Sequence, residues 1–197
     1  MQVDYYYTLM SPWAYFGAPR FYSLQKKYKF KINHLPLDII SLFSLSGGVP
    51  LAKRTQQRKN YRMIELKRWK KKLKMPINFL PKYFPPSDVS KASAIILSLD
   101  DKEKQNAFSF ACLKYVWVEE KDIGDEKNLI YICKRLKINY DKLLKNIDSK
   151  IKLYESNAKK AADKNIFGSP TYVINKEIFW GQDRLDLFED YIINYIN

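Results

Sequence analysis

Ser11-Pro12-Trp13-Ala14 follows an apolar run over residues 3–9 and opens what reads as the first helix. A redox protein working through a Cys-x-x-Cys pair would carry its thiols at the first and fourth of these positions. Serine and alanine stand there instead. A seryl hydroxyl cannot form a disulfide. It can hold the thiolate of another molecule, because unpaired N–H groups and the helix dipole favour an anion at a helix N-terminus. The expected chemistry is therefore a borrowed thiol held by Ser11, with glutathione the foremost candidate.

The other residues able to do chemistry are few. Cys112 and Cys133 sit in apolar helical runs and read as buried free thiols. His34 is the only histidine. It lies among apolar neighbours with no acid partner in view and reads as structural. This inventory leaves no metal site of the usual zinc type. The net charge of +14 would suit nucleic acid or an anionic membrane. The lysines, however, are spread through most of the chain. Their densest run, residues 67–74, reads as the solvated face of an amphipathic helix, with Met63, Leu66, Trp69 and Leu73 on the other side. Neither nucleic acid nor membrane is expected as a partner.

These residues need a scaffold. At 197 residues the chain fits one domain, or one domain with a large insertion. Hydrophobic content of 46% and aromatic content of 15% supply a core and exclude the disordered and fibrous classes. No stretch reaches the roughly 18 apolar residues of a membrane span. Met1-Gln2-Val3-Asp4-Tyr5 carries an acid and no basic stretch, which argues against a signal peptide. The cytoplasm is the expected address.

Strands are predicted over 3–9 and 30–37, flanking a helix over 15–28. Pro12 is tolerated in its first turn, and Pro19 is expected to bend it. This opening suggests a parallel pair joined by a right-handed crossover. Ser46-Gly47-Gly48-Val49-Pro50 reads as a loop. Residues 52–165 read as almost wholly helical, with helices over 53–73, 89–99, 102–120, 126–136 and 141–162. Ser87 or Ser90 is expected to cap the second of these. A Pro-rich aromatic loop covers 75–86. Strand character returns at 171–174, turns at Asn175-Lys176 and pairs back through 178–180. A last helix follows over 184–196. The order predicts an α/β thioredoxin-like fold interrupted by a large all-helical insertion. Residues 1–45 with 163–197 form the thioredoxin-like domain, and 46–162 the insertion.

Three motifs sit in this topology: Ser11-Pro12-Trp13-Ala14-Tyr15, Phe167-Gly168-Ser169-Pro170-Thr171 and Phe179-Trp180-Gly181-Gln182-Asp183-Arg184. On them the chain resembles, from end to end, the glutathione-dependent 2-hydroxychromene-2-carboxylate isomerases and their relatives, the kappa-class glutathione transferases, with a DsbA-like thioredoxin fold. The resemblance implies that Ser11 donates to the sulfur of glutathione and lowers its pKa. Taken alone, Ser11 reads equally as a helix cap. The resemblance further implies a cis Pro170 opposite the first helix, where an ordinary strand-entry proline is the bland reading. The Ser169 N–H and C=O are then free to pair with the cofactor backbone like an added strand. N–H groups at Gln182-Asp183 would receive the γ-glutamyl carboxylate, and an acidic side chain its ammonium. Asp183 also suits a helix cap, with Asp186 three residues on. Trp180 joins the cofactor set by resemblance, while its residue type reads as core packing.

The reaction so implied is a cis–trans isomerisation in aromatic-ring catabolism. A thiolate adds to the chromene carboxylate, the ring opens, rotation follows, and the thiol leaves. The substrate is a small aromatic carboxylate. Lys53, Arg54 and Arg58 are candidates to receive its charge, with Tyr83 and Phe84 as walls for the ring. Each of the five also reads as ordinary surface or packing. Ser44 and Gly47-Gly48 stand where many members carry a lysine and a Gly-Asn pair. Relatives suggest a homodimer through the insertion. A kappa-like transferase or peroxidase acting on hydrophobic electrophiles would share the thiolate site. A non-catalytic module of the same fold would lack affinity for glutathione, and a nucleic-acid binder would bind with a steep salt dependence. Disulfide exchange needs thiols that Ser11 and Ala14 do not supply.

Overall fold

Val3, Tyr5 and Tyr7 alternate along β1 (Gln2–Tyr7) and are fully buried on one face of a sheet. Tyr6 points the other way and is buried too. A strand buried on both faces needs cover on both, and the chain provides it. The computed structural model describes residues 1–196. Its sheet runs in the order β2-β1-β3-β4, where β2 is Lys31–Pro36, β3 Thr171–Ile174 and β4 Glu177–Trp180. β1 pairs parallel with β2 and antiparallel with β3, and β3 with β4 forms an antiparallel hairpin. This is the expected thioredoxin-like sheet. Strand β1 stops at Tyr7 rather than Leu9, because Thr8 and Leu9 lead into the helix cap.

One face of the sheet carries α1 (Pro12–Tyr28) and α9 (Leu185–Ile196). Tyr5, Phe21, Tyr172 and Phe188 interlock there, with ring centroids 4.5–5.8 Å apart. Pro19 lies inside α1, which runs unbroken on either side of it. Gly17 is what lets α1 settle so close. A Cβ there would lie 2.7 Å from the Tyr172 hydroxyl and 2.9 Å from Gln182 Cβ. Gly17→Ala is expected to destabilise the fold by about 1–3 kcal/mol, as overpacking does. The urea midpoint reads this directly, and an unchanged midpoint would contradict the packing.

The opposite face is covered by α2 (Ile39–Ser46) and α8 (Ile147–Ala162), with Leu37, Ile39, Leu42, Ala158, Ala161 and Ile166 around Tyr6. Asn157 on α8 donates to the Pro36 carbonyl at 2.8 Å and so ties this layer to β2. Helix α2 is not predicted by the sequence reading. Asp38 caps its start through Ile40 and Ser41, and Gly47, at φ 75°, ends it.

The insertion holds α3 (Gln56–Leu73), α4 (Ser90–Ser98), α5 (Lys102–Trp117), α6 (Glu126–Arg135) and α7 (Tyr140–Leu144) before α8. The helix predicted over 141–162 is two, because the chain turns at Lys145 and Asn146. Helix α4 is capped by neither Ser87 nor Ser90. The Asp88 carboxylate accepts from both Ser90 N–H and Lys91 N–H instead. Four short lines tie the 75–86 loop to its neighbours. Tyr15 on α1 donates to the Pro76 carbonyl at 2.7 Å. Asn78 donates through its backbone to Trp117 O at 2.7 Å and through its side chain to Val118 O at 3.2 Å. Lys82 N–H reaches Glu120 at 3.1 Å.

Among the described residues no helix is long and apolar enough to cross a membrane.

Candidate active site

Four residues, Ser11 to Ala14, carry the backbone groups in question at the start of α1, and three of them have an N–H. The N–H of Ser11 donates to Thr8 O at 3.1 Å. Pro12 has none. The N–H of Ala14 is taken by Ser11 Oγ at 3.2 Å. Only Trp13 N–H has no acceptor among the described residues. No acid lies in the first turn to neutralise the helix end. One free donor and an uncompensated dipole therefore meet beside Ser11, which is a setting that favours an anion.

Ser11 is a true helix cap, and that role leaves its proton available. Its Oγ accepts from Ala14, and its O–H points to Ser169 O over 3.4 Å, at the long limit of a hydrogen bond. Ser11 is 6% exposed, so the hydroxyl is placed rather than free to wander. The Ser169 carbonyl is consequently not wholly open, as the sequence reading has it, but loosely engaged by Ser11. The Ser169 N–H has no acceptor among the described residues.

The Ser169-Pro170 bond is cis, as expected. Ser169 Oγ accepts from Thr8 N–H at 2.9 Å and clips the proline turn to the approach to α1. Thr8 is a residue the sequence reading misses. Its hydroxyl is buried and has no partner among the described residues. Pro170 O accepts from Gly181 N–H at 2.9 Å, so the turn also holds the entrance to the last helix.

Gln182 lies in the 3-10 turn Gln182–Arg184 and is 2% exposed. Its carbonyl and its Oε1 both accept from Arg20 on α1, at 3.1 and 3.3 Å. Arg20 also pairs with Asp186 at 2.7 Å. The Gln182 side chain is thus committed to the scaffold, whereas the N–H groups of Gln182 and Asp183 have no acceptor among the described residues. Asp183 is exposed and pairs with Arg184 at 3.2 Å. It caps no helix, because the turn places it inside the first coil rather than before it.

Trp180 corrects its expected core placement. It is 51% exposed. β4 is an edge strand, and the Trp180 ring lies over Gly168 and edge-on to Phe167, with centroids 4.7 Å apart. A side chain at Gly168 would run into the indole, so the two residues pack as one cover beside the proline turn.

The structure thus gathers Ser11, Ser169, Pro170, Gln182, Asp183 and Trp180 around one end of the sheet. Lys53, Arg54, Arg58 and Tyr83 share no hydrogen bond or ion pair with that cluster among the described residues. Lys53 and Arg58 are exposed. Arg54 is half-buried, with its Nε on Val49 O at 2.8 Å, and burial followed by Arg58 lowers its pKa. Tyr83 is exposed and lies under Lys82. A cavity of about 690 Å³ opens between the end of α3 and the 75–86 loop, lined by Lys67, Lys70, Lys71, Lys74, Met75, Pro76 and Phe79. Ser11 does not line it.

The chain's own sulfur is out of play. Cys112 and Cys133 are buried, and burial pushes both thiols up, Cys133 to about 12. Thiolate chemistry from either is suppressed. His34 is structural: it is buried between Tyr7 and Asn106, at 2.9 and 2.8 Å.

The DSBA-like thioredoxin domain model matches residues 2–193. A 2-hydroxychromene-2-carboxylate isomerase of Sphingobium xenophagum is 26% identical over 195 residues, covering 98% of either chain. One of Pseudomonas putida is 24% identical and covers 96% of this chain and 93% of its own. A solved structure of a 2-hydroxychromene-2-carboxylate isomerase superposes with a TM-score of 0.85 at 20% identity, covering 100% of this chain and 96% of its own. The unbroken match over nearly every residue agrees with the sheet, the cis proline and the helical insertion described above: the chain belongs to the DSBA-like thioredoxin domain family.

Proposed function

We propose that this protein is a glutathione-dependent isomerase of the 2-hydroxychromene-2-carboxylate type, acting in aromatic-ring catabolism. The observation that carries the reading is the Ser11 hydroxyl, held at an uncompensated helix N-terminus with its proton on a 3.4 Å contact to the proline turn. That proton is weakly used and can be given to a better acceptor. The names of the relatives described above support the isomerase reading.

The donor set fits the tripeptide. Ser11 O–H and Trp13 N–H both lie at the open end of α1, where a sulfur anion would be stabilised. Ser169 presents a free N–H and a loosely held C=O to a peptide backbone. The N–H groups of Gln182 and Asp183 suit a carboxylate, and the exposed Asp183 side chain an ammonium. Trp180 and Phe167 shield one side of the proline turn. When bound, glutathione supplies a thiol able to add reversibly to a conjugated carbon. The part of the chain is to hold that sulfur ionised near neutral pH and to fix it against the first turn of α1. A reducing cytoplasm, where glutathione is plentiful, suits such a site.

The test is a spectrophotometric assay on 2-hydroxychromene-2-carboxylate with purified protein. Isomerisation is expected with glutathione and at least about a hundredfold less without it. Equal rates in both arms would end the proposal. Conjugation of a hydrophobic electrophile without isomerisation would move the chain to transferase chemistry at the same site.

A further inference from the structure

Arg62, on α3, carries five N–H donors and engages no acceptor among the described residues. It is half-buried. Its guanidinium carbon lies 6.0 Å from the Phe84 ring centroid and 5.8 Å from that of Trp117. Those rings pack against each other at 4.8 Å. The Trp117 indole N–H beneath is itself buried without a partner among the described residues. Burial, then the charge of Arg54, brings the Arg62 pKa down to about 10. A partly desolvated guanidinium normally has a carboxylate beside it.

The acids of α3 and of residues 119–120 are committed elsewhere. Glu65, the only acid on α3, holds Arg68 at 2.6 Å. Glu119 pairs with Lys114 at 3.7 Å, and Glu120 accepts from Lys82 N–H. The 75–86 loop contains no acid. Arg54, whose charge acts on Arg62, has only its Nε engaged among the described residues and keeps its terminal nitrogens. Two arginine forks with aromatic surface from Phe84 match the planar carboxylate of an aromatic acid, since the guanidinium fork binds carboxylate through two parallel bonds.

We infer that Arg62, backed by Arg54, is the seat of the carboxylate of an aromatic acid in the helical insertion. Sequence reading places that charge on Lys53, Arg54 or Arg58. The structure moves its centre to Arg62, which is half-buried and unpaired where Lys53 and Arg58 are exposed. That the acid is the substrate rests on the proposed isomerase reading. The anion seat itself needs no glutathione.

The experiment is calorimetric titration of benzoate into the protein without glutathione, at low salt, with benzyl alcohol as the uncharged control. Benzoate is expected to bind and benzyl alcohol not to. Arg62→Met is expected to weaken benzoate at least about tenfold, and Arg62→Lys to recover part of the loss. The melting temperature of Arg62→Met is expected to stay level or rise, because an unpaired half-buried charge is removed. Benzoate is also expected to change the tryptophan fluorescence of the unmutated chain, and that change is expected to vanish in Trp117→Phe. Equal benzoate affinity in the unmutated chain and Arg62→Met, or no binding to either, overturns the seat. So does a lowered melting temperature with unchanged affinity, which would make Arg62 a packing residue. Benzoate binding without glutathione-dependent turnover would leave the seat standing and fail the isomerase reading alone.

Discussion

Replacing Ser11 by alanine is expected to raise the pH at which bound glutathione ionises by about one to two, and to slow isomerisation by about a hundredfold. The first figure is the loss of one hydrogen bond to the charged form of the sulfur. The second reflects removal of a preorganised donor from a site where charge is held. Two roles must be separated, because Ser11 Oγ also accepts from Ala14 N–H and caps α1. Alanine at a cap costs about 1 kcal/mol of stability, whereas glycine costs only a few tenths. Ser11→Gly is therefore expected to melt close to the unmutated chain and yet to ionise glutathione as poorly as Ser11→Ala. Ultraviolet titration of the bound thiolate reads this apart from turnover. If both variants ionised the sulfur at the unmutated pH, Ser11 would be a cap and nothing more.

Acidification from pH 7 to pH 4 is expected to remove about 3 kcal/mol of stability through His34 alone. The imidazole is 3% exposed, and its pKa is lowered to about 4, first by burial and further by Lys102, against the opposing bond to Asn106. Its neighbours fix the neutral form. Asn106 gives its amide N–H to Gln25 at 2.7 Å, so its carbonyl oxygen faces His34 Nε2, which must carry the proton. Nδ1 then accepts from the Tyr7 hydroxyl at 2.9 Å, and that hydroxyl accepts in turn from Ser109 at 2.9 Å. The unfolded chain takes up a proton near pH 6.5, but the folded chain does not until about pH 4. Stability is thus intact above about 6.5 and falls as the pH drops through that window. Urea unfolding across it is the measurement. His34→Gln is expected to start less stable at pH 7, because the network is broken, and to lose about 3 kcal/mol less on the way down. Parallel curves for the two proteins would show that the imidazole is not held neutral.

Much of the frame is legible in the residues. The apolar run before Ser11 and the turn at Asn175-Lys176 carry local signals strong enough to survive folding, and β1 and the β3–β4 hairpin follow from them, whereas the cis Pro170 is legible only through the family resemblance. Helix α2 escapes because its eight residues lie between a strand and a Gly-Gly turn and are too short to stand out. Its reason to exist is long-range, since Ile39 and Leu42 are needed to cover Tyr6. Trp180 escapes because residue type says nothing of being on an edge strand. Asp183 is displaced by a 3-10 turn that only the Gly181–Pro170 hydrogen bond explains. Arg62 is hidden among the cations of α3. Nothing in its spacing marks it, and only the positions of Phe84 and Trp117 set it apart from its exposed neighbours.

Both sulfhydryls of this chain lie on the buried faces of α5 and α6, held protonated by that burial. With both thiols buried, this thioredoxin-like scaffold presents no redox pair of its own at its first helix. An oxidative burst finds no accessible thiol here to capture. Under the proposed glutathione-dependent reading, its output would follow the supply of reduced tripeptide around it rather than any oxidation of its own thiols.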